Sequence, residues 1–184
     1  MRIVAGKFRS RKLVAPEGMN TRPTLDQVRE AVFSSLGGYF SQGNFFDPFA
    51  GSGAFGFEAL SRGFTKVILG DRDPLAINAI KQNKNSLKLG AECEIWFYDY
   101  HKSLKQAQRK KLKFDLIYLD PPYELNKNEE ILDLIIEAGI LNSQGRIVVE
   151  SGKGLSYNYP SSLIKYKEAA YGKAVVSYFV EANQ

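Results

Sequence analysis

Two short stretches of the sequence combine residue types and spacings that could support chemistry. The first, DPFAGSGAFG at residues 47–56, contains the G-x-G-x-x-G spacing of a nucleotide-binding loop. The second, DPPY at residues 120–123, joins a carboxylate, two prolines and an aromatic ring. Glycines let the backbone approach a ligand closely, and a carboxylate beside an aromatic ring can hold a planar group by hydrogen bonding and stacking. The pair predicts a site where a nucleotide-like cofactor meets a planar substrate.

The glycine loop does not by itself choose the cofactor. Asp71 follows Gly51 by twenty residues, at the end of the next predicted strand, where an acid would hold the ribose hydroxyls of an adenosine. NAD and S-adenosylmethionine (SAM) both contain adenosine, so these residues leave both possibilities open.

Three further features favour SAM. Asp47 lies just before the loop, where it would oppose the phosphates of NAD but would suit the ammonium group of a methionine moiety. Asp99 ends the third predicted strand and can accept a hydrogen bond from an adenine amine. The DPPY stretch has no role in hydride transfer. The residues predicted to bind SAM and its product S-adenosylhomocysteine are Asp47, Phe49, Gly51, Ser52, Gly53, Asp71, Arg72, Asp99 and Tyr100.

The DPPY stretch suits methyl transfer to an exocyclic amine on a planar ring. The lone pair of such an amine is delocalised, so hydrogen bonds from its N–H groups to the Asp120 carboxylate and the Pro121 carbonyl must turn it toward the methyl sulfonium. Pro121 and Pro122 fix the backbone and remove N–H donors. Tyr123 offers a face on which a base can stack. These four residues are the predicted catalytic group.

After residue 44, short apolar strands alternate with helices. The predicted strands are NFFD, KVILGD, ECEIWFYD, FDLIYLDPPY and GRIVVES, followed by two more in IKYKEAAYGKAVVSYFV around a turn at residues 171–173. Helices are predicted in AFGFEALSRG, in DPLAINAIKQNKNSLKLG with Asp73 as N-cap and Pro74 first, in the basic segment at 101–113, and around NEEILDLIIEAG. This alternation predicts an α/β fold: a mostly parallel seven-stranded sheet with helices on both faces and an antiparallel addition at one side.

The start of the chain is basic and reads as a separate element. MRIVAGKF and RKLVAP predict a β-hairpin extension over residues 1–23, ahead of a single domain at 24–184 whose first helix begins in TLDQVREAVFSSL with Thr24 as its cap. The predicted contacts to a polyanion such as RNA are Arg2, Lys7, Arg9, Arg11, Lys12, Arg22, Thr24 and Arg29, the last three being open to simple capping as well. Phosphate contacts of this kind make binding strongly salt-dependent.

Composition excludes several other classes. The 184 residues carry a net charge of +5, one cysteine and one histidine. Cys93 lies among strand-like neighbours and is expected to be buried, and His101 is expected in a polar surface loop, so we predict no disulfide and no metal site. The basic run at 101–113 is expected to be a solvated helix face. No apolar run approaches a membrane span and no signal peptide is evident, so we expect a cytoplasmic monomer.

With these residues placed, the chain resembles the RsmD family, the bacterial 16S rRNA guanine-N2 methyltransferases. The similarity lies in MRIVAGKFRSRKL, TRPTLDQVREAVFSSL, DPFAGSGAFGFEALSRG and LDPPY, and covers nearly the whole chain. It implies a class I SAM-dependent methyltransferase fold and methyl transfer to N2 of one guanine, with small ribosomal subunit RNA or particles as partner. The sequence departs from the family at Ser10, Pro48, Phe55 and Asp71, and the shorter Asp71 puts its direct reach to the ribose in question.

Other functions stay open at this stage. Adenine-N6 methylation of DNA and glutamine methylation of a protein use related tetrapeptides, although Asp120 and the short chain oppose both. A non-catalytic RNA-binding module is opposed by the intact DPPY and glycine loop. An NAD dehydrogenase would need a base for hydride chemistry, and none is evident.

Overall fold

The computed structural model describes residues 1–16, 23–122 and 127–182. The helices are α1 (Pro23–Ser35), α2 (Ala54–Ser61), α3 (Pro74–Ser86), α4 (Tyr100–Arg109) and α5 (Asn128–Ala138). The strands are β1 (Asn44–Asp47), β2 (Lys66–Asp71), β3 (Cys93–Phe97), β4 (Phe114–Leu119), β5 (Leu141–Gly152), β6 (Leu163–Tyr171) and β7 (Ala174–Glu181).

The seven strands form one sheet in the order β3-β2-β1-β4-β5-β7-β6. Strands β1 to β5 pair in parallel, and β7 runs antiparallel to both β5 and β6. The predicted α/β fold with an antiparallel addition is therefore confirmed. The chain leaves β1 toward β2 on one side and returns to β4 on the other, so a ligand crevice is expected at the carboxyl ends of β1 and β4.

Apolar residues form two separate buried clusters, one on each face of the sheet. Ile3, Phe45 and Val67 belong to the cluster under the N-terminal segment and α1 to α3. Phe46 and Ile68, their neighbours in sequence, belong to the cluster under α4 and α5. Successive side chains of a strand point to opposite faces, which is why these short strands are apolar throughout.

Of the two predicted helix N-caps, the structure confirms one and contradicts the other. Asp73 caps α3 as predicted, because its carboxylate accepts from the Leu75 N–H at 2.9 Å and Pro74 opens the helix. Thr24 as N-cap of α1 is wrong, because the helix already includes Pro23, a residue whose fixed φ suits the first helical position.

The structure also tests the predicted environments of Cys93 and His101. Cys93 is buried as predicted, and this burial raises the pKa of its thiol to about 12. His101 does not lie in a loop: it is in the first turn of α4, which begins one residue earlier because Asp99 caps the helix through the Lys102 N–H at 2.8 Å.

The predicted N-terminal β-hairpin is present in short form. Arg2 and Lys12 form an antiparallel bridge, and the backbone N–H groups of Ile3 and Leu13 donate to the carbonyls of Arg11 and Met1 at 3.0 and 3.1 Å. The pairing stops there because Val4 and Ala5 donate to the two carboxylate oxygens of Glu58 at 2.8 and 3.0 Å instead of to a partner strand. A buried carboxylate therefore holds the hairpin on α2.

Within the described ranges, no helix is long and apolar enough to cross a membrane. Over the same residues, no group of three or more metal-ligating side chains could hold a metal ion.

Candidate active site

A cleft of about 630 Å³ opens at the carboxyl edge of the sheet, within the usual size range for small-molecule sites. The segments that follow β1, β2, β3 and β4 all contribute to it, as does the N-terminal segment. Its lining includes Met1, Pro16, Arg29, Asp47, Phe49, Gly51, Ser52, Phe55, Asp71, Arg72, Asp99, Tyr100, His101, Tyr118, Asp120, Pro122 and Lys127. The two sequence stretches singled out above therefore meet in one place.

The glycine loop between β1 and α2 needs glycine for conformation and for space. Gly51 and Gly53 have φ values of 53° and 78°, which other residues rarely adopt. A Cβ at Gly51 would meet nothing within 4 Å, so the backbone there is open to a ligand. A Cβ on Gly56 would lie 2.3 Å from a methyl carbon of Leu69, so this third glycine sets the close approach of α2 to β2.

Asp71 holds this loop in shape. One of its carboxylate oxygens accepts from the Gly51 N–H at 2.8 Å, and the other accepts from the Asp73 N–H at 2.9 Å. Each oxygen keeps a second lone pair, so a hydroxyl on a ligand can still donate to the carboxylate. Asp71 therefore stabilises the loop, in addition to the ligand contact predicted for it.

Asp47 is the most deeply buried acid of the cleft. Its Oδ1 accepts from the Phe49 N–H at 2.9 Å. Burial raises the pKa of Asp47 well above its usual value, and the negative charges of Asp120 and Asp71 raise it further. The cleft therefore brings three carboxyl groups close together, which favours a cationic ligand over a polyphosphate.

Aromatic and polar side chains line other parts of the cleft. The Phe49 and Tyr100 rings lie 5.5 Å apart, and the Tyr100 hydroxyl donates to Glu130 at 2.9 Å. The same carboxylate oxygen lies 2.8 Å from Nε2 of His101. Ser52 donates to the Met1 sulfur at 3.2 Å, which ties the loop to the first residue of the chain.

Asp120 follows β4 directly and lines the cleft. Burial, and secondly the negative charge of Glu150, raise the pKa of Asp120 to about 8. Pro122 also lines the cleft, whereas Pro121 is buried behind it. Tyr123 lies outside the described residues.

The predicted RNA contacts divide into two groups. Five are exposed on the N-terminal segment: Arg2, Lys7, Arg9, Arg11 and Lys12. Arg11 also donates to the Ser86 carbonyl at 2.6 Å. Arg22 lies outside the described residues, and Thr24 lies in the first turn of α1.

Arg29 does not fit the role of an RNA contact. It is only 1% exposed, and its guanidinium donates to Glu58 at 3.3 Å, to Asp26 at 2.8 Å and to the Arg2 carbonyl at 2.6 Å. A guanidinium committed to internal partners in this way has no access to a phosphate. The structure instead makes Arg29 a link between α1, α2 and the N-terminal segment.

Two buried polar residues that hold the N-terminal segment were missed from the sequence. Glu58 is fully buried in the middle of α2 and is bound by Arg29 and Arg62. Asn83 binds both the Val14 backbone and the Ser52 carbonyl. A glutamate inside an otherwise apolar helix was the available signal for Glu58, since an unpaired charge would not be tolerated there.

The fold and the cleft together define a class I methyltransferase of the Rossmann-like type. Among solved structures, "Putative methyltransferase yhhF" from Escherichia coli superposes with a TM-score of 0.85 and 29% identity, covering 100% of this chain and 99% of that one. The "putative methylase HI0767" from Haemophilus influenzae gives 0.81 and 34%, over 97% and 96%.

The family model described as Conserved hypothetical protein 95 matches residues 1–180, and the chain belongs to this family. "Putative rRNA methyltransferase YlbH" of Bacillus subtilis is 37% identical over 97% of this chain and 98% of its own length. "Ribosomal RNA small subunit methyltransferase D" of Haemophilus influenzae is also 37% identical, over 100% and 94%. The resemblance to the RsmD family predicted from the sequence is thereby confirmed.

Proposed function

We propose that this protein transfers a methyl group from SAM to the exocyclic N2 amine of one guanine in 16S rRNA during small-subunit assembly. The observation that carries the proposal is the convergence of the glycine loop and Asp120 on a single cleft. Full-length relatives named as rRNA methyltransferases, one of them for the small subunit, support RNA as the substrate class. The choice of N2 rests on the family resemblance.

The charges of the cleft fit SAM better than a dinucleotide. Asp47, Asp71 and Asp120 are close enough that the last two raise the pKa of the first. Such a group of acids is stabilised by a ligand that carries an ammonium and a sulfonium, and is destabilised by one that carries a pyrophosphate. We assign Asp47 to accept from the ammonium, Asp71 from the ribose and Asp99 from the adenine amine. SAM, when bound, supplies the electrophilic methyl group.

The contribution of the protein to the reaction is to orient the amine and to take up its proton. Asp120 and the Pro121 carbonyl accept from the two N–H groups of the amine and turn its lone pair toward the methyl donor. A pKa of about 8 makes Asp120 a stronger base than an ordinary aspartate, so its carboxylate is suited to receive the proton that the methylated amine loses. Tyr123 is assigned to stack on the guanine.

The exposed cations of residues 1–12 are assigned to the RNA backbone. They lie on a segment whose first residue lines the cleft, so phosphates bound there would be near the target base. Contacts to phosphates position a nucleic acid without reading its sequence.

The experiment is an incubation of the purified protein with methyl-labelled SAM and small ribosomal subunits from cells that lack its gene. Nuclease digestion and nucleoside separation then identify the product. Label in N2-methylguanosine is the expected result. Label in another nucleoside would support methyl transfer to RNA but contradict guanine N2 as the target. SAM binding without any labelled RNA would contradict RNA as the substrate.

A further inference from the structure

The outward face of α4 carries a row of cations that the site described above does not use. Lys102, Lys105 and Arg109 are exposed and follow the spacing i, i+3 and i+7, which places them on one side of the helix. Tyr100, Ser103, Leu104 and Ala107 are buried on the opposite side. These three cations are called the α4 stripe.

The α4 stripe is not neutralised by the protein itself. Residues 101–113 contain no acid, and none of the three stripe residues forms an ion pair with an acid that the structure describes. The next cation, Lys110, differs: it pairs with Glu94 at 2.7 Å and lies 5.4 Å from the centre of the Trp96 ring. The stripe therefore presents uncompensated positive charge to the solvent.

The position of the stripe relates it to the cleft. The first two residues of α4, Tyr100 and His101, line the cleft, and Lys102 follows them directly. The basic N-terminal segment packs on the other face of the sheet, where Ile3 joins the cluster under α1 to α3, while Leu104 joins the cluster under α5. The two basic surfaces thus approach the cleft from opposite faces of the sheet.

An exposed aromatic residue directly precedes α4. Tyr98 is 42% exposed and lies between the end of the edge strand β3 and the first residue of α4. A ring left in solvent close to cations suits the binding of unpaired nucleotides, because a base can stack on the ring while the cations hold the phosphates.

We propose that the α4 stripe, with Tyr98, is a second RNA-binding surface that holds the substrate strand on the side of the cleft opposite the N-terminal segment. The inference rests on the proposed function, since it takes RNA as the substrate. Seven residues of helix rise about 10 Å, which is enough to meet roughly three phosphates of one strand at 3.4 Å each. The stripe would then anchor RNA that leaves the cleft on this side.

The test is binding of unmodified 16S rRNA over a range of salt concentrations. The triple variant Lys102→Ala, Lys105→Ala, Arg109→Ala should bind more weakly than wild type. The slope of log affinity against log salt should become shallower by about 2 to 3, because each lost phosphate contact removes 0.7 to 0.9. Tyr98→Ala should lower affinity while leaving this slope unchanged, since stacking releases no counterions.

The matched control removes the same charge from the other end of the sheet. Lys165, Lys167 and Lys173 are exposed on and after the far edge strand β6, and their replacement by Ala should leave the slope at the wild-type value. SAM affinity should be equal in all variants, which verifies that each is folded. An unchanged slope in the α4 variant, or an equal loss in the control, overturns the second surface. The proposed function itself fails if wild type does not methylate the RNA, whatever the salt slopes of the variants.

Discussion

The hydroxyl of Tyr118 donates to a carboxylate oxygen of Glu150 at 2.6 Å, and both side chains are buried. The two residues lie on the neighbouring strands β4 and β5, in which Leu119 pairs with Val149. Asp120 follows Leu119 and Glu150 follows Val149, so the two acids are neighbours at the ends of this pairing. Burial raises the pKa of Glu150 above its ordinary value, and the hydrogen bond from Tyr118, which favours the charged form, offsets part of that rise. A buried carboxyl group therefore lies next to the candidate catalytic acid.

The first prediction concerns Glu150→Gln. Its charge raises the pKa of Asp120, although burial is the larger cause, so removing that charge should lower this pKa without restoring the ordinary value. Activity needs the Asp120 carboxylate, so the rise of kcat/KM with pH, expected near pH 8 in wild type, should move to lower pH in the variant. The measurement is the pH profile of methyl transfer to small subunits.

A matched control for that change is Glu137→Gln, an exposed position in the last turn of α5. It removes the same charge far from Asp120 and should leave the pH profile of kcat/KM unchanged. A Glu150→Gln profile that overlays the wild-type profile would show that Glu150 does not influence the acid that controls the rate.

The second prediction is that Asp120→Asn lowers kcat by about 100-fold or more, because an amide cannot take up the proton and donates where an acceptor is needed. SAM affinity should change little, since Asp120 is assigned to the amine. Single-turnover transfer and equilibrium SAM binding measure the two quantities. Transfer near the wild-type rate would contradict the assigned role.

The sequence predicted the parts of the fold whose signals are local. Strand β1 and the cap of α3 follow from short apolar runs and from Asp-Pro, and both were predicted at the right residues. The N-terminal hairpin is shorter than a sequence pattern can show, because the N–H groups of Val4 and Ala5 bind Glu58, which is more than fifty residues away along the chain. Arg29 was misjudged for the same reason, since only the folded chain brings Glu58 and the Arg2 carbonyl to its guanidinium.

The third prediction concerns the buried ion pairs that Glu58 forms with Arg29 and Arg62. Glu58→Gln removes the charge between Arg29 and Arg62 and leaves their guanidiniums less compensated in the interior. Loss of one partner of a buried ion pair costs roughly 3–5 kcal/mol of unfolding free energy. Urea unfolding should show this loss, whereas the exposed Asp133→Asn change on α5 should show almost none. A loss below about 1 kcal/mol would mean that the network adds little to stability.

The fourth prediction concerns Asp71, which holds the glycine loop and is assigned to the ribose. In Asp71→Asn only one side-chain oxygen remains for the N–H groups of Gly51 and Asp73, so one of them loses its partner. Hydrogen bonds to charged groups contribute about 1.5–3 kcal/mol, so SAM affinity should fall about tenfold or more as the loop loses its shape. Calorimetric titration with SAM measures this, and an affinity equal to wild type would remove Asp71 from the site.

The fifth prediction concerns Arg9 and Arg11 on the N-terminal segment. Both are exposed, so replacing them with Ala should weaken RNA binding and make the salt slope shallower by about 1 to 2 while SAM affinity stays the same. The Arg11 contact to the Ser86 carbonyl lies at the surface, so the fold should survive its loss. Filter binding at four or more salt concentrations measures the slope. If the slope stays at the wild-type value, these two cations do not contact phosphates and the N-terminal segment serves only to cover the core.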